Sequence, residues 1–593
     1  MSVPAPRMRF CPAPSGWLHV GSVRAALYNY LHARHHGGVF VFRIEDTDAS
    51  RATEDSMRSM LEALAWVGLD WDEGPTLEAD GSFGERGAHG PYRQSERAAL
   101  YGAVARRLVA AGATYPDHRT PDELELWREQ QRAGTGEGPP VVKASTFEHT
   151  EEELAAHAGE GHAASLRLRT PEAGEVVVDD LIRGAVRWDW ATISDPVIVR
   201  SDGSATYPLA NSVDDVAQGV SVICRGEDLL SVTPRQVVLH GLLVGPDPEQ
   251  AGVALIDAAL AEVGLPARAE GWAAPAAFAH LPMVVGMDRK KLSKRHGSVS
   301  IQEFRRQGFL PETLRNYLAL LGWAPGDGRE RLTDEELIAL FDLGQVGRSA
   351  AAFDVDKLMA FNGERIRDLG VDELAARLVP YLDGTEGGDV LVDAPPTAGQ
   401  LLVLRGLVPL VQERMQRLDE VQRYAPAFLR DEVTLDPDSV AKVFGKAGSV
   451  EAIEAAQRVL ADVDWTLEAI EAALRGLPEE LGIGFGKVAQ PVRVAVTGSS
   501  VSPPLFESVE LLGRERTLAR LAAALPAARA DVVATVRRLR SVPPVEAPFA
   551  RRRRAPYPCE PRLGSPAARA GSTVTRRGRT RAEARTQPFS GVV

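Results

Sequence analysis

The 593-residue chain has little cysteine and no long apolar run. Its three cysteines, Cys11, Cys224 and Cys559, are far apart, which excludes a disulfide framework and a zinc site built from closely spaced thiolates. No stretch approaches the roughly 18 uninterrupted apolar residues of a transmembrane helix. The opening residues, MSVPAPRMRFC, lack an apolar signal core. We therefore expect a cytoplasmic protein that does not bind a membrane.

Aromatic residues are also few, at 6% of the chain, whereas 44% of the residues are hydrophobic. This composition is typical of a globular protein, and the length is enough for several domains. The net charge is −13, but residues 529–593 carry 15 arginines and four acids, which leaves residues 1–528 at −24. A polyanion must therefore bind to local basic surfaces rather than to a global positive field.

A strand, a turn and a helix are predicted near the N-terminus. Residues 7–11 form a strand-like run, a turn rich in Pro and Gly follows, and apolar residues at helical spacing begin at Val23. Between them lies the segment HVGS, which starts at His19. The free N–H groups and the positive dipole end of such a helix form an anion site, where His19 would donate to a phosphate. The alternative is an ordinary turn with a surface histidine.

An acidic segment, EDTD, begins at Glu45, directly after a strand predicted over residues 39–44. Acidic side chains at the carboxyl end of a parallel strand lie where α/β sheets bind ligands. We therefore expect Glu45 to contact a ligand. Asp48 is better explained as a cap of the following helix.

A strongly basic segment, RKKLSKRHG, spans residues 289–297. Mobile ammonium groups can neutralise the charge that develops on a leaving pyrophosphate. We expect Lys294 to make the main contact, with Lys291 and Ser293 assisting. The alternative is a solvated loop or a general polyanion-binding patch.

These segments lie among longer stretches that resemble the bacterial glutamyl-tRNA synthetases, a family of class I aminoacyl-tRNA synthetases. The stretches are RFCPAPSG (9–16), LHVGS (18–22), GGVFVFRIEDTD (37–48), GPYRQS (90–95), SDGSATYPLANSVDD (201–215), VICRGEDLL (222–230), SVTPRQ (231–236), KLSKR (291–295), GFLPETLRNYLALLGW (308–323) and GKVAQPVRVAVTG (486–498). The resemblance covers residues 7–525.

The resemblance implies a glutamate–tRNA ligase that uses ATP with Mg²⁺. L-glutamate would first form glutamyl-adenylate and then move to the 3′ end of tRNA(Glu), with tRNA(Gln) as a further candidate. The implied ATP-binding residues are His19, Gly21, Ser22 and Lys294, and the implied catalytic residues are His19, Lys291, Ser293 and Lys294. The implied glutamate pocket consists of Arg9, Cys11, Ala13, Glu45, Tyr207, Asn211 and Arg225. We expect a monomer.

The residue types of the implied pocket suit glutamate. Guanidinium groups bind carboxylates in a bidentate manner, so Arg9 and Arg225 would clamp the side-chain carboxylate. Glu45 would hold the α-amino group, and Tyr207 and Asn211 would orient the rest of the molecule.

Two residues depart from the family pattern, which usually has Ala and Ser where this chain has Cys11 and Ala13. The missing hydroxyl at Ala13 predicts a pocket weaker by about 1 kcal/mol rather than a different substrate. A divergent second copy with altered charging is the alternative.

No metal site is expected. Some family members carry a Cys-rich zinc cluster, but the corresponding residues 115–122 read YPDHRTPD, so we expect no zinc. The histidines at 32, 35 and 36 have no adjacent cysteine or carboxylate to complete a set of ligands.

The expected fold class is α/β, with a Rossmann-type catalytic domain, an α+β acceptor-stem-binding insertion, an all-α anticodon-binding region and a disordered basic tail. The expected boundaries are 1–110 and 199–331 for the catalytic halves, 111–198 for the insertion, 332–528 for the helical region and 529–593 for the tail. The tail has too few large apolar residues to fold.

Two further expectations concern smaller segments. Residues 244–275, rich in Ala, Gly and Pro, predict a surface insertion with one helix at 251–263. Arg414 falls where discriminating family members keep an arginine that faces the third anticodon base. The alternative is an exposed arginine without that role.

Three other functions compete with this one. Glutaminyl-tRNA synthetases end in β-barrel anticodon domains, which the helical periodicity after residue 332 disfavours. A truncated relative that glutamylates a modified tRNA base is disfavoured, because that relative has no anticodon domain and this chain is far too long for it. A non-catalytic RNA-binding paralogue is disfavoured because His19, Glu45, Arg225 and Lys294 are intact.

Overall fold

The computed structural model describes residues 5–14, 16–47, 53–135, 140–147, 150, 152, 163–269, 271–292 and 300–530. Ser293, Lys294 and Asp48 lie outside these ranges, as does the expected tail beyond residue 530. Among the helices described, none is long and apolar enough to cross a membrane.

The strands are β1 (Arg7–Phe10), β2 (Val39–Phe42), β3 (Gly74–Leu77), β4 (Phe83–Arg86), β5 (Thr114–Asp117), β6 (Ser165–Leu168), β7 (Glu175–Asp180), β8 (Gly184–Asp189), β9 (Val197–Val199), β10 (Val222–Gly226), β11 (Ala277–Leu281), β12 (Val284–Val285) and β13 (Ala351–Ala352).

The helices before residue 370 are α1 (Val20–His35), α2 (Glu54–Val67), α3 (Ala98–Ala110), α4 (Pro121–Thr135), α5 (Ala144–Phe147), α6 (Tyr207–Ala217), α7 (Thr233–Val244), α8 (Leu255–Glu262), α9 (Ile301–Arg306), α10 (Pro311–Ala319), α11 (Asp334–Leu340) and α12 (Val355–Asp368). The later helices are α13 (Val371–Leu378), α14 (Ala398–Val411), α15 (Pro426–Leu429), α16 (Pro437–Val443), α17 (Ser449–Asp462), α18 (Leu467–Leu481), α19 (Phe485–Thr497), α20 (Leu505–Leu512) and α21 (Arg514–Arg529). Short 3₁₀ turns lie at Gln94–Arg97, Trp190–Thr192, Glu227–Val232, Leu343–Gln345, Val379–Tyr381, Gln412–Arg414 and Leu418–Arg423.

A parallel sheet forms the centre of the catalytic half. β1 pairs with β2, β10 with β11, and β11 with β7, all in parallel. Hydrogen bonds between Arg7 and Ser221 place β1 beside β10: Ser221 N donates to Arg7 O at 3.0 Å, and Arg7 N donates to Ser221 Oγ at 2.9 Å. The segments that follow β1, β2 and β10 therefore leave the sheet at the same edge, where α/β proteins bind ligands.

The expected acceptor-stem insertion contributes to two different sheets. β5, β6 and β9 form a small antiparallel sheet of their own. The hairpin of β7 and β8 instead extends the catalytic sheet, because Asp180 of β7 pairs with Phe278 of β11. Residues of the insertion thus reach the edge of the sheet where ligands are expected.

The described chain passes from one large hydrophobic core to another near residue 360. The core around the parallel sheet continues to Leu358, because α11 and the residues after it pack on α1, with the Phe341 and Tyr28 rings 4.9 Å apart. Apart from Leu310, the second core begins at Ile366 and is built from helices. This division lies later than the boundary of 331 expected from the sequence.

Candidate active site

One large cleft opens at the carboxyl edge of the parallel sheet, with a cavity volume of about 1310 Å³. That volume exceeds the range typical of single small-molecule pockets, so it can hold two small substrates together. The predicted site residues that line it are Arg9, Cys11, Ala13, His19, Gly21, Ser22, Glu45, Tyr207, Arg225 and Lys291. Asn211 reaches the cleft indirectly, through Glu45.

His19 caps helix α1 at the edge of the cleft. Its Nδ1 accepts hydrogen bonds from the backbone N–H groups of Gly21 (3.1 Å) and Ser22 (3.2 Å). The sequence predicted that the N–H groups of this turn would be free for a ligand, whereas these two are used by the cap. Because Nδ1 accepts, the proton of a neutral ring lies on Nε2, which is 3.1 Å from Ser22 Oγ. Burial, and then the charge of Lys291, lower the pKa of His19 and favour this neutral form.

Arg225 is a buried cation at the end of β10, and 5% of the residue is exposed. Its Nη2 donates to Thr233 Oγ1 at 3.0 Å, its Nη1 to Tyr207 Oη at 3.4 Å, and its Nε to His280 Nε2 at 3.1 Å. Within the described ranges, no carboxylate lies within 4.0 Å of its guanidinium. Burial accordingly lowers the pKa of Arg225. A buried guanidinium that faces a cleft without a counter-charge is a site for an anionic group.

Arg9 differs from Arg225, because it already has a carboxylate partner. Its Nε and Nη2 donate to the two oxygens of Asp215 at 3.2 and 3.3 Å, and its Nη1 lies 3.4 Å from Cys224 O. Burial lowers the pKa of Arg9, but the combined effects of Asp215, Cys11 and Tyr207 raise it above its ordinary value. Arg9 therefore has less capacity for a new ligand than the sequence suggested.

The partner of Arg9 belongs to a buried charge network that the sequence reasoning missed. Asp215 also accepts from Arg43 Nη2 at 2.8 Å, and its neighbour Asp214 accepts from Arg97 Nε at 2.6 Å. Burial raises the pKa of Asp215, but Arg9 and Arg43 overcome this effect and hold it at about 2. The signal was present in the sequence, since two adjacent acids within an apolar helix must both find cations if both are buried.

Glu45 lines the cleft, three residues after the end of β2, because the strand ends at Phe42 rather than at the expected residue 44. Asn211 Nδ2 donates to Glu45 Oε1, and Asn211 Oδ1 in turn accepts from Gln236 Nε2 at 2.9 Å. Burial raises the pKa of Glu45, against the effects of Arg43 and Arg9. Its nearest cation, Arg43 Nη2, is 3.5 Å away, which leaves the carboxylate able to accept an ammonium group.

The two departures from the family pattern lie side by side on the cleft wall. Burial raises the pKa of the Cys11 thiol to about 12, so it is a neutral group in the pocket. Asn211 Nδ2 lies 3.8 Å from its sulfur. Ala13 is exposed to the cleft and offers no hydrogen bond there.

Two described residues of the basic segment, Lys291 and Leu292, line the cleft. Lys291 lines the cavity and is close enough to His19 to lower its pKa. A tight turn precedes it, in which Arg289 N donates to Gly286 O at 2.9 Å with Arg289 at φ 62°. Ser293 and Lys294, the other predicted catalytic residues, lie outside the described ranges.

Arg414 lies far along the chain, in the helical region. It is exposed, and its Nη1 donates to Ser502 O at 2.9 Å. Arg493 Nη1 donates to Ser502 Oγ at 2.8 Å. Burial, and then the charge of Arg414, lower the pKa of Arg493, against the effect of Glu507, so the two guanidinium groups lie near each other and near one carboxylate.

The described part of the chain contains no cluster of three His, Cys, Asp or Glu side chains that could hold a metal ion. The rings of His32, His35 and His36 instead contact one another, with centroids 4.5 and 4.7 Å apart. Burial, and then the charges of His36 and His35, lower the pKa of His32 to about 4, against the effect of Asp342.

Comparison with known proteins follows the same division of the chain. A family model described as the catalytic domain of class I tRNA synthetases (E and Q) matches residues 6–255 and 268–360, and an anticodon binding domain matches residues 373–525. The unmatched gap falls within the predicted insertion, whose helix is α8.

Curated relatives and a solved structure agree with these matches. The glutamate–tRNA ligase of Saccharopolyspora erythraea is 43% identical over 524 residues, 88% of this chain and 96% of that protein. The Mycobacterium tuberculosis enzyme is 41% identical over 521 residues, 87% of this chain and 97% of that protein. A crystal structure of a glutamate tRNA ligase from Elizabethkingia meningosepticum in complex with its amino acid is 27% identical, with a TM-score of 0.69, and covers 88% of this chain and 99% of that one. These matches confirm the expected resemblance, the α/β catalytic domain and the helical region after it. The chain therefore belongs to the glutamate–tRNA ligase family of class I tRNA synthetases.

Proposed function

We propose that this chain catalyses the ATP-dependent ligation of L-glutamate to tRNA(Glu), with the cleft as its active site. The α-carboxylate of glutamate attacks the α-phosphorus of ATP, a carboxylate–phosphate bond forms, and pyrophosphate leaves. A hydroxyl of the terminal ribose of the tRNA then attacks the glutamyl carbonyl and releases AMP. The observation that carries the assignment is Arg225, a buried guanidinium that faces the cleft without a carboxylate partner.

Glutamate is held from both of its ends. Arg225 binds the side-chain carboxylate, and the hydroxyl of Tyr207 lies beside it. Glu45, which Asn211 orients, accepts the α-ammonium group. Arg9 contributes through its remaining Nη1 and through its charge, because Asp215 already occupies two of its nitrogens. Cys11 and Ala13 form the wall of the pocket.

ATP occupies the part of the cleft between α1 and the basic segment. His19 donates from Nε2 to a phosphate, since its Nδ1 is committed to the cap of α1. Gly21 and Ser22 line the same end of the cleft. Lys291, Ser293 and Lys294 neutralise the departing pyrophosphate, and positioned charges of this kind supply most of the catalysis in phosphoryl chemistry.

Mg²⁺ would enter with the ATP phosphates, since this ion is usually bound by substrate phosphates together with one or two carboxylates.

The tRNA contacts follow the division of the fold. We assign the acceptor stem to the small sheet of β5, β6 and β9, and the anticodon to the helical region, with Arg414 facing the third anticodon base. The local charge of Arg414 and Arg493 supports this assignment in a chain whose body is acidic. A monomer in the cytoplasm, where tRNA is charged for translation, accords with this role.

Aminoacylation assays test the proposed function. Purified tRNA(Glu) and tRNA(Gln) are each offered with glutamate and with glutamine. We expect glutamate to be attached to tRNA(Glu), and glutamine to neither tRNA. Charging of tRNA(Gln) with glutamate would add a second tRNA substrate. Failure to charge tRNA(Glu) with glutamate would refute the proposal and favour a non-catalytic RNA-binding protein.

A further inference from the structure

Two buried side chains lie directly behind Arg225. His280 of β11 is fully buried, and Asp180 at the end of β7 is 4% exposed. Asp180 Oδ2 lies 2.6 Å from His280 Nδ1. Asp180 Oδ1 accepts from the backbone N–H groups of Ile182 (2.9 Å) and Arg183 (2.8 Å), which fix the carboxylate in place.

The hydrogen-bonding capacities of these groups determine the tautomer of His280. A guanidinium can only donate and a carboxylate can only accept. Arg225 Nε, 3.1 Å from His280 Nε2, therefore requires Nε2 to be unprotonated. The proton lies on Nδ1 and is donated to Asp180. Burial lowers the pKa of His280, and this effect is larger than the opposing effect of the hydrogen bond to Asp180. Burial therefore also favours the neutral ring.

This arrangement orients Arg225 without neutralising it. Asp180 is separated from the guanidinium by the whole imidazole ring, so Arg225 keeps its net charge for a ligand. His280 engages Nε, Thr233 Oγ1 engages one hydrogen of Nη2, and Tyr207 Oη engages one hydrogen of Nη1. The remaining hydrogen on each of the two Nη atoms is left for a bidentate carboxylate.

We propose that Asp180 and His280 are positioning residues, which act through Arg225 to select a substrate with a side-chain carboxylate over one with an amide. This inference rests on the proposed function, in which Arg225 binds that carboxylate. Asp180 lies in the expected acceptor-stem insertion, where sequence patterns gave no reason to place a residue of the amino-acid site.

Asp180→Asn is the decisive variant. The amide oxygen can still accept from Ile182 and Arg183, but the amide nitrogen then donates towards His280 Nδ1. It also can no longer accept from the backbone N–H of His280, which lies 3.0 Å from Asp180 Oδ2. The proton of the ring moves to Nε2, where it opposes Arg225 Nε. In the Ser-His-Asp triad of serine proteases, an Asp-to-Asn substitution leaves the geometry of the triad intact but gives the histidine the wrong tautomer.

Pyrophosphate exchange with tRNA present measures the effect. We expect the glutamate KM to rise on the order of 10- to 100-fold, by analogy with the loss seen when the hydrogen-bond partner of a metal-binding side chain is replaced. The ATP KM and kcat should stay within about threefold, a change of roughly 0.65 kcal/mol or less. The preference for glutamate over glutamine in kcat/KM should fall.

Asp247→Asn is the matched control. Asp247 is also buried, its Oδ1 also accepts from the backbone N–H groups two and three residues ahead, Glu249 and Gln250, and its Oδ2 pairs with Arg107. It is not part of the cleft lining. This control variant should leave the glutamate KM unchanged, so any general effect of replacing such a carboxylate is measured separately.

His280→Phe gives a second route if Asp180→Asn folds poorly. Phe keeps a ring but removes the acceptor for Arg225 Nε, so the glutamate KM should rise again. Combining both substitutions should be no worse than His280→Phe alone, because the tautomer of an absent imidazole cannot matter.

A binding measurement distinguishes failure of the positioning role from failure of the proposed function. Glutamate binding by calorimetry with tRNA present is measured beside charging. A wild type that binds glutamate but does not charge tRNA refutes the proposed function and still allows the variants to be compared. Glutamate affinity and KM within threefold of the wild type in Asp180→Asn, or an equal loss for ATP, would overturn the positioning role.

Discussion

Replacing Arg225 by Ala should damage glutamate binding while sparing ATP binding and the fold. The substitution removes the cation that faces the cleft without a carboxylate partner. It also leaves the substrate carboxylate in a buried site without its counter-charge.

The size of the effect follows from these contacts. Truncating one partner of a buried, hydrogen-bonded charge pair costs about 2–4 kcal/mol, which corresponds to a rise of about 30- to 1,000-fold in glutamate KM. Stability should respond differently. Burial lowers the pKa of Arg225, so the charge is unfavourably placed in the free protein. Since the loss of its three hydrogen bonds opposes this relief, we expect the Tm of Arg225→Ala to stay close to that of the wild type.

Arg9→Ala provides the contrast. Arg9 is paired with Asp215, and its removal leaves that buried carboxylate with Arg43 alone. We expect a clear fall in Tm, in contrast to Arg225→Ala. Pyrophosphate exchange with tRNA present and thermal unfolding measure both variants. The reasoning is refuted if Arg225→Ala raises the KM values for ATP and glutamate equally, or if its glutamate KM stays within about threefold of wild type.

Three further predictions concern other parts of the site. Lys294→Ala should lower the rate of adenylate formation by about 10²–10³ with little change in ATP affinity, whereas transfer from preformed adenylate should be spared; pyrophosphate exchange within threefold of wild type would contradict a catalytic role. Ala13→Ser should restore a hydroxyl in the pocket and lower the glutamate KM by up to about fivefold, equivalent to about 1 kcal/mol, and an unchanged KM would show that this position does not contact glutamate. The pKa of Asp215 is about 2 in the folded protein and 3.8 ordinarily. The ionised carboxylate therefore stabilises the fold above about pH 5, and this contribution is lost as the pH falls through about 2. Urea unfolding between pH 6 and pH 3 should show the start of this decline in stability, and Asp215→Asn should show a shallower decline.

Local sequence patterns were sufficient to predict the strand and helix that border the proposed ATP site. A strand, a broken turn and a helix with apolar spacing predicted β1 and α1 closely, and a ligand-facing acid after β2 was also predicted. The role of His19 as the cap of α1 was not predicted. Its ring accepts hydrogen bonds from the same N–H groups that were expected to bind a ligand. Such competition depends on the side-chain rotamer, which spacing does not specify.

Long-range pairing could not be predicted in the same way. Alternating residues indicated strands near residues 167–184, but they did not indicate that β7 would pair with β11, about 100 residues later. The position of the boundary near residue 360 has the same cause, because the packing of Phe341 on α1 is decided by tertiary contacts. Nothing local marks Asp180 as a neighbour of Arg225.

The buried network of Asp214 and Asp215 also has a consequence for how the chain folds as it is synthesised. Three buried arginines, Arg9, Arg43 and Arg97, leave the ribosome well before their counter-charges, since Asp214 follows Arg97 by 117 residues. At about 5–20 residues per second, the delay is roughly 6–25 s. During that interval these arginines lack the two carboxylates that neutralise them in the folded protein. The first half of the catalytic domain must therefore wait for helix α6, and the intervening insertion can form its own small sheet first.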